Sequence, residues 1–297
     1  MTPTITTAGI YDVPFKDYTS QKGLTPTPWL SSSVIKTMLQ KSPRHAAFDH
    51  PDIGGGAEEE SSKVANIGTV AHSLILHEHD ERIVISPYPE FRSNEAKAWR
   101  DNNIDAGRVI VKQPEYDAAK AMATAFHKGI RVYEKELGEE FKTDQTEKTV
   151  VAEIEGVWCK IRVDAICSSL WDIKSTGVEM TPSKWVKNQL YGNGYDVQVE
   201  FYRRVFKAAT GEDKRMILGV IEQNAPHDCY PVVLSNAADA LAAAKVDWAL
   251  KTWREGIESR IWMGYTPRVI YAEPPVWELS DWEQRRVLEN AAQEMAA

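Results

Sequence analysis

The segment Thr149-Val150-Val151-Ala152-Glu153-Ile154-Glu155-Gly156-Val157-Trp158-Cys159-Lys160-Ile161-Arg162-Val163-Asp164-Ala165-Ile166 sets two β-branched, apolar runs on either side of Glu155-Gly156. A two-residue loop ending in Gly between alternating runs reads as a tight β-hairpin. Ser168-Ser169 then leads into a third strand, Leu170 to Ser175. Alternation puts Val157, Cys159, Ile161 and Val163 on one face, read as core, and Trp158, Lys160, Arg162 and Asp164 on the other, read as polar. On the third strand Asp172 and Lys174 share a face, opposite Trp171 and Ile173. If the second and third strands pair as a tight hairpin, Asp164 and Asp172 converge with Lys174 beside them.

Upstream of the hairpin, residues 1 to about 28 are rich in Thr and Pro without periodicity and read as an irregular arm. Ser31-Ser32-Ser33 caps a short helix with Val34, Ile35, Met38 and Leu39 on one side and Lys36, Lys41 and Arg44 along a positive edge. The run Gly54 to Ser62 reads as a flexible loop. Helices are expected from about Gly68 through Leu76 and from Glu115 to Leu137, with a short strand at Arg108 to Val111 between them. Downstream, Gly192-Asn193-Gly194 leads into a helix at Tyr195 to Ala209. Strands follow at Arg215 to Ile221 and Tyr230 to Leu234, then a long helix from Ala237 to Trp262 and a final short one at Asp281 to Glu294. No internal repeat is found. This order predicts an α/β fold with a mixed central β-sheet flanked by helices, organised as an arm (1–28), a main domain (29–275) and a helical tail (276–297).

At 297 residues, 43% apolar and 26% charged, the chain has material for a well-buried core. No window approaches ~18 uninterrupted apolar residues, and Met1 to Ile10 lacks a basic start followed by an apolar core, so no membrane partner and a cytoplasmic location are expected. Three cysteines match neither a disulfide framework nor a zinc motif, and they fall short of the four thiolates an iron–sulfur cluster takes unless subunits share them. A formal charge of −8 excludes a generally basic coat, so nucleic acid would have to be met in a local basic channel on an acidic body.

Two carboxylates a few ångströms apart repel unless a proton or a cation joins them. Oxygen ligands favour Mg²⁺, for which Mn²⁺ can substitute, and such an ion polarises a phosphodiester and lowers the pKa of bound water. Lys174 then either handles the attacking water or neutralises charge developing on phosphate. Gln198 and Tyr202, four apart on one helix face, can be aimed at the same place, and His72 can offer a neutral imidazole nitrogen. Each also suits a plainer role: His72 as a satisfied core histidine, Gln198 with Tyr202 as packing, and the hairpin as a solvated polar surface.

Taken together, Gly68-Thr69-Val70-Ala71-His72, Lys160-Ile161-Arg162-Val163-Asp164, Asp172-Ile173-Lys174-Ser175-Thr176 and Gln198 to Tyr202 resemble the PD-(D/E)xK nuclease superfamily. The match is to its exonuclease VIII (RecE)-like phage and prophage recombination branch. Leu30 to Ser33 and Trp262 to Tyr265 extend the likeness to most of the chain. The resemblance implies a Mg²⁺-dependent exonuclease that degrades one strand of linear double-stranded DNA from 5′ to 3′, leaving a 3′ overhang for a RecT-like single-strand annealing protein in the bacterial cytoplasm. It implies metal binding by His72, Asp164, Asp172 and the Ile173 carbonyl, action of Lys174 on the water, and orienting or DNA-contacting roles for Gln198 and Tyr202. Glu153 is a candidate for a second metal, with plain surface charge as the alternative.

A serine of a more distant phage exonuclease contacts the 5′ phosphate, which points here to Ser33 with Lys36 or Arg44. Arg162 is a further candidate DNA contact. The middle acid is Asp172 where Glu is commoner, a variation RecE-like members accept. No Gly-x4-Gly-Lys-Ser/Thr loop is present to couple strand separation to ATP, so processivity is expected from a homo-oligomeric ring with an acidic exterior and a basic lumen. Trp158, Trp185, Trp253 and Trp262 read as core, or else as interface or base-stacking residues. The competing expectations are an endonuclease of the same superfamily, a non-catalytic DNA-end-binding module on this fold, and an unrelated α/β protein.

Overall fold

The computed structural model describes residues 1–55, 67–77, 79–177 and 181–296. In chain order its first half runs β1 (Gly9–Tyr11), α1 (Phe15–Ser20), α2 (Ser32–Gln40), α3 (Pro43–Asp49), α4 (Ile67–Leu76), β2 (Ile83–Ile85), α5 (Asn94–Asp105), β3 (Val109–Val111), α6 (Gln113–Ile130) and α7 (Glu134–Leu137). The second half runs β4 (Thr146–Ile154), β5 (Val157–Ile166), β6 (Leu170–Thr176), α8 (Pro182–Trp185), α9 (Tyr195–Thr210), β7 (Met216–Glu222), β8 (Cys229–Val232), α10 (Asn236–Ser259) and α11 (Val276–Ala296). Met1–Gly264 forms one compact unit and Tyr265–Ala297 a second, whose helix α11 starts five residues ahead of the expected Asp281. Among the described residues no helix is long and apolar enough to cross a membrane.

The hairpin of β4 and β5 is built as expected. Glu155 and Gly156 both take positive φ, 51° and 81°, the pair of left-handed conformations that a primed two-residue turn needs. The main sheet has the order β1-β4-β5-β6-β7-β8 and is antiparallel except where β6 lies parallel to β7. A parallel neighbour cannot be reached by a tight turn, and the crossover segment contains α8 and α9. The β2–β3 pair forms a separate, parallel two-stranded sheet. The sheet is covered on both faces. Odd residues of β6 and β7 (Trp171, Ile173, Ile217, Ile221) pack with Val70, Ala71 and Ile75 of α4 and Met122 and Phe126 of α6. Even residues (Leu170, Met216, Leu218, Val220) join Val197, Phe201 and Val205 of α9. Gly219 is required here, because a Cβ on it would lie 2.9 Å from the Phe126 ring.

Two expectations are corrected. The N-terminal arm is part of the domain: β1 adds to β4 at the sheet edge with Ile10 opposite Val150, and Ile5, Val13 and Leu24 are buried. Consequently the supposedly polar face of β5 is not solvated. Lys160 is 1% exposed, with its ammonium 3.2 Å from the Trp29 ring centroid and 4.4 Å from that of Tyr18, and it donates to the Tyr18 carbonyl. The aliphatic stem and the amino group find their partners in Tyr18 of the arm and in Trp29 just beyond it. From residue 56 onward the Gly-rich run falls outside the described residues.

Burial pushes the Lys160 ammonium down to about 6, against an ordinary 10.5, with Asp52 opposing the shift. The penalty on the charged form is then fully present below pH 6 and fades as pH rises towards 10.5, so this residue makes the fold more stable with rising pH. Lys160→Met is expected to flatten the rise in unfolding free energy between pH 6 and 9, read by urea melts of both proteins; parallel slopes would contradict it.

Candidate active site

β5 and β6 keep regular pairing only around their connection, with Ile166 opposite Leu170 and Ala165 opposite Trp171. One residue further, Asp164 and Asp172 face each other, and the ladder is replaced by a side chain: Asp164 Oδ2 accepts the Ile173 N–H at 2.6 Å. The same oxygen lies 2.9 Å from His72 Nε2 on α4. Across from it, Asp172 Oδ2 lies 2.5 Å from Lys174 Nζ as an ion pair without hydrogen-bond geometry, and Oδ1 accepts from Gln198 Nε2 at 2.6 Å. Lys36 Nζ on α2 donates to Gln198 Oε1 at 3.0 Å, so the cluster continues to a second ammonium. Ser31 caps α2 by accepting from Val34 N, and Gly194 starts α9 at φ 64°. A Cβ on Gly194 would come within 3.0 Å of the Lys36 side chain, so glycine here serves both the turn and the approach of that lysine.

The electrostatics follow from packing acids and bases together out of water. Burial pushes the Asp172 carboxyl above the usual carboxylate range, with Asp164 adding and Lys174 opposing. Burial acts the same way on Asp164, but His72, Lys174 and the Ile173 N–H outweigh it and hold that carboxyl low. Lys174 and His72 are both raised, because Asp172 and Asp164 respectively overcome the burial that would lower them. At Lys36 burial wins instead: it disfavours the ammonium and brings the group down to about 8, with Lys174 contributing and Asp172 opposing.

The sequence-predicted residues divide accordingly. The fold brings together His72, Asp164, Asp172, Ile173, Lys174, Gln198 and Lys36. Tyr202 is buried on the Gln198 face of α9 and hydrogen-bonds Ser32; its hydroxyl pKa is raised well above the ordinary value by burial first, then by the Tyr18, Asp172 and Asp164 charges. Ser33 is exposed at the start of α2, with its hydroxyl 2.9 Å from that of Ser31.

Three candidates are not brought in. Glu153 is exposed beside the hairpin turn, opposite Trp158, and at about 3.3 Å per residue that lies roughly 20 Å along β5 from Asp164. Arg44 donates to the Trp262 carbonyl and secures that segment instead. Arg162 donates to the Val13 carbonyl at 2.9 Å and pairs with Glu147, tying the arm to β5. Of the tryptophans, Trp185 and Trp253 are core, Trp253 lying 4.7 Å from the Trp262 ring.

Two residues were missed. Glu147 takes φ 51° between the pairs Thr146–Ala165 and Lys148–Val163, which sets it next to Asp164; it accepts from His77 at 3.0 Å and faces Arg162 and Arg82 at 3.6 and 3.7 Å. Tyr195 has Lys36 and Lys174 at 4.9 and 4.7 Å from its ring centroid.

Among the described residues no three His, Cys, Asp or Glu groups close around a single point. The acids and His72 are instead paired with each other, with Lys174 and with Gln198. The donor set of two carboxylates and an imidazole nevertheless suits a hard divalent cation. Asp172 Oδ2, buried and met by the Lys174 ammonium alone, is the oxygen such a cation would share.

No curated protein matches this chain. A proposed exonuclease from Eubacterium rectale has a similar fold, with a TM-score of 0.55 at 14% identity over 91% of this chain and 98% of its own. LHK-Exo, solved in complex with dAMP, aligns at a TM-score of only 0.22 and 14% identity over 66% of this chain and 92% of its own. The family model described as a PDDEXK-like domain of unknown function (DUF3799) matches residues 31–262, a span that holds the whole cluster, and the chain belongs to that family.

Proposed function

We propose that this protein is a divalent-cation-dependent exonuclease acting on linear double-stranded DNA. The observation that carries the reading is the convergence of Asp164, Asp172 and Lys174 at the point where β5 and β6 part, with Gln198 and His72 closing on the two carboxylates. Asp164, Asp172 and His72 would hold the cation, with the Ile173 carbonyl as a further ligand. When bound, Mg²⁺ or Mn²⁺ polarises the phosphodiester and lowers the pKa of a bound water.

The chain's own groups do the rest. Lys174 is kept as an ammonium by its two acidic neighbours and stabilises negative charge developing on the phosphate. Gln198 fixes the rotamer of Asp172 through its amide N–H, and Lys36, pointing the other end of that amide, presents a cation to a DNA phosphate. Ser33, exposed at the start of the same helix, would meet a terminal 5′ phosphate. The motif resemblance supports 5′-to-3′ polarity, a 3′ overhang handed to a RecT-like annealing protein, a homo-oligomeric ring and action in the bacterial cytoplasm.

Linear duplex labelled at either the 5′ or the 3′ end should lose nucleotides with Mg²⁺ and none with EDTA, with the 5′ label released first and a 5′-phosphate end degraded faster than a 5′-hydroxyl end. Circular plasmid should persist. Cleavage of circles at the same rate would replace the exonuclease by an endonuclease, and end binding without nucleotide release would leave a non-catalytic module.

A further inference from the structure

Outside the catalytic cluster the fold contains a cavity of about 500 Å³ lined by Trp99 and Asn103 of α5, the β2 strand, Arg108, Tyr116 and Asp80. That volume lies within the ~300–1,000 Å³ of small-molecule sites. Its wall is preorganised. The Trp99 ring stacks on Phe91 at 6.4 Å and 10° and meets the edge of Tyr88 at 6.0 Å. Asn103, one turn on, donates to the Trp99 carbonyl and accepts from Arg108 at 3.1 Å. The chemistry left over is one-sided. Among the described residues the Trp99 indole N–H and the Tyr116 hydroxyl have no partner, and Arg108, with five N–H donors, uses one of them and pairs with no carboxylate. Flat aromatic surface beside unspent donors and a cation matches a base carrying a phosphate.

The cavity also adjoins the site already described. Asp80 in its wall takes the Arg82 guanidinium and the hydroxyl of Ser73, the neighbour of His72, and Arg82 reaches Glu147 at 3.7 Å beside Asp164. Two ion pairs therefore separate the two places. We propose that this cavity is a binding site for a nucleoside 5′-monophosphate group, its base against Trp99 and its phosphate towards Arg108. The choice of a nucleotide rests on the nuclease reading; the existence of the site does not.

The test is titration with dGMP in EDTA, followed by calorimetry. Wild type should show saturable binding that weakens at least tenfold in Trp99→Ala and in Arg108→Glu. The exposed arginine serves as the variant that leaves the aromatic cluster intact, and Asp172→Asn should bind as wild type does. A single-stranded octanucleotide in competition identifies the source: displacement of dGMP assigns the site to a nucleotide within a strand, and its absence to the released product. Binding of neither probe, equal binding by both cavity variants, or equally tight binding of inorganic phosphate overturns the proposal. Loss of dGMP binding in Asp172→Asn moves the ligand to the catalytic cluster and overturns it too. Failure of the nuclease reading is seen separately, as absent Mg²⁺-dependent hydrolysis with dGMP binding intact.

Discussion

Asp172→Asn is expected to reduce nucleotide release from linear duplex by about a thousandfold, the scale of removing one preorganised electrostatic group from an active site. Asparagine keeps the shape and the contact to Gln198 but removes the charge that both Lys174 and a divalent cation need. Activity alone cannot tell a ligand from a neighbour, so the second readout is thermal. A cation that binds only the native state stabilises it by about 2.7 kcal/mol at 100 times its Kd, several degrees in the melting midpoint of a domain this size. Wild type should show that rise on adding Mg²⁺, and Asp172→Asn should not. Lys174→Met should separate the two functions: it should lose activity to a similar extent yet keep the Mg²⁺-induced rise, since the lysine competes for Asp172 rather than contributing a ligand. Equal Mg²⁺ stabilisation of wild type and Asp172→Asn would remove Asp172 from the metal site.

Which parts of this arrangement could be read in advance follows from the range of the signals. The hairpin of β4 and β5 is specified locally, by two residues able to take positive φ between alternating runs, and the short connection after β5, which pairs Ile166 with Leu170 and Ala165 with Trp171, carries Asp164 to Asp172. Gln198 follows from helical spacing once α9 is recognised. The signals fail where contacts are long-range. β1 has three residues and no periodicity of its own; it is a strand because β4 offers an open edge. Lys160 reads as solvent-facing by type, and only the arm folding over β5 buries it. Glu153 and Glu147 lie on the same strand, and alternation cannot choose between them; the left-handed residue at 147 interrupts the strand and turns that acid, not Glu153, towards the cluster. Tyr195 carries no sequence signal at all, because its role depends on two lysines from separate elements meeting over one ring.

Lys245→Met is expected to destabilise the protein by about 3 kcal/mol, the low end of the cost of stranding a buried charge. Asp196 is fully buried at the first turn of α9, and its Oδ2 is held by Lys245 Nζ at 2.6 Å while Oδ1 has no donor. Two features keep the expectation at the low end: Lys245 retains 28% exposure, and the positive end of the α9 dipole partly compensates the carboxylate. In a domain of this size the loss corresponds to roughly 6–12 °C in midpoint. The consequence reaches the site, since Asp196 lies between Tyr195 and Gln198: its stranded carboxylate must either take up a proton or draw the first turn of α9 towards water. The double variant Asp196→Asn with Lys245→Met should therefore recover most of the lost stability, because no charge is left to strand, and with it the activity that depends on Gln198 meeting Asp172. Additive losses in the two single variants and the double would mean that α9 is held by its apolar face through Val197, Phe201 and Val205, and that the ion pair follows the packing instead of directing it.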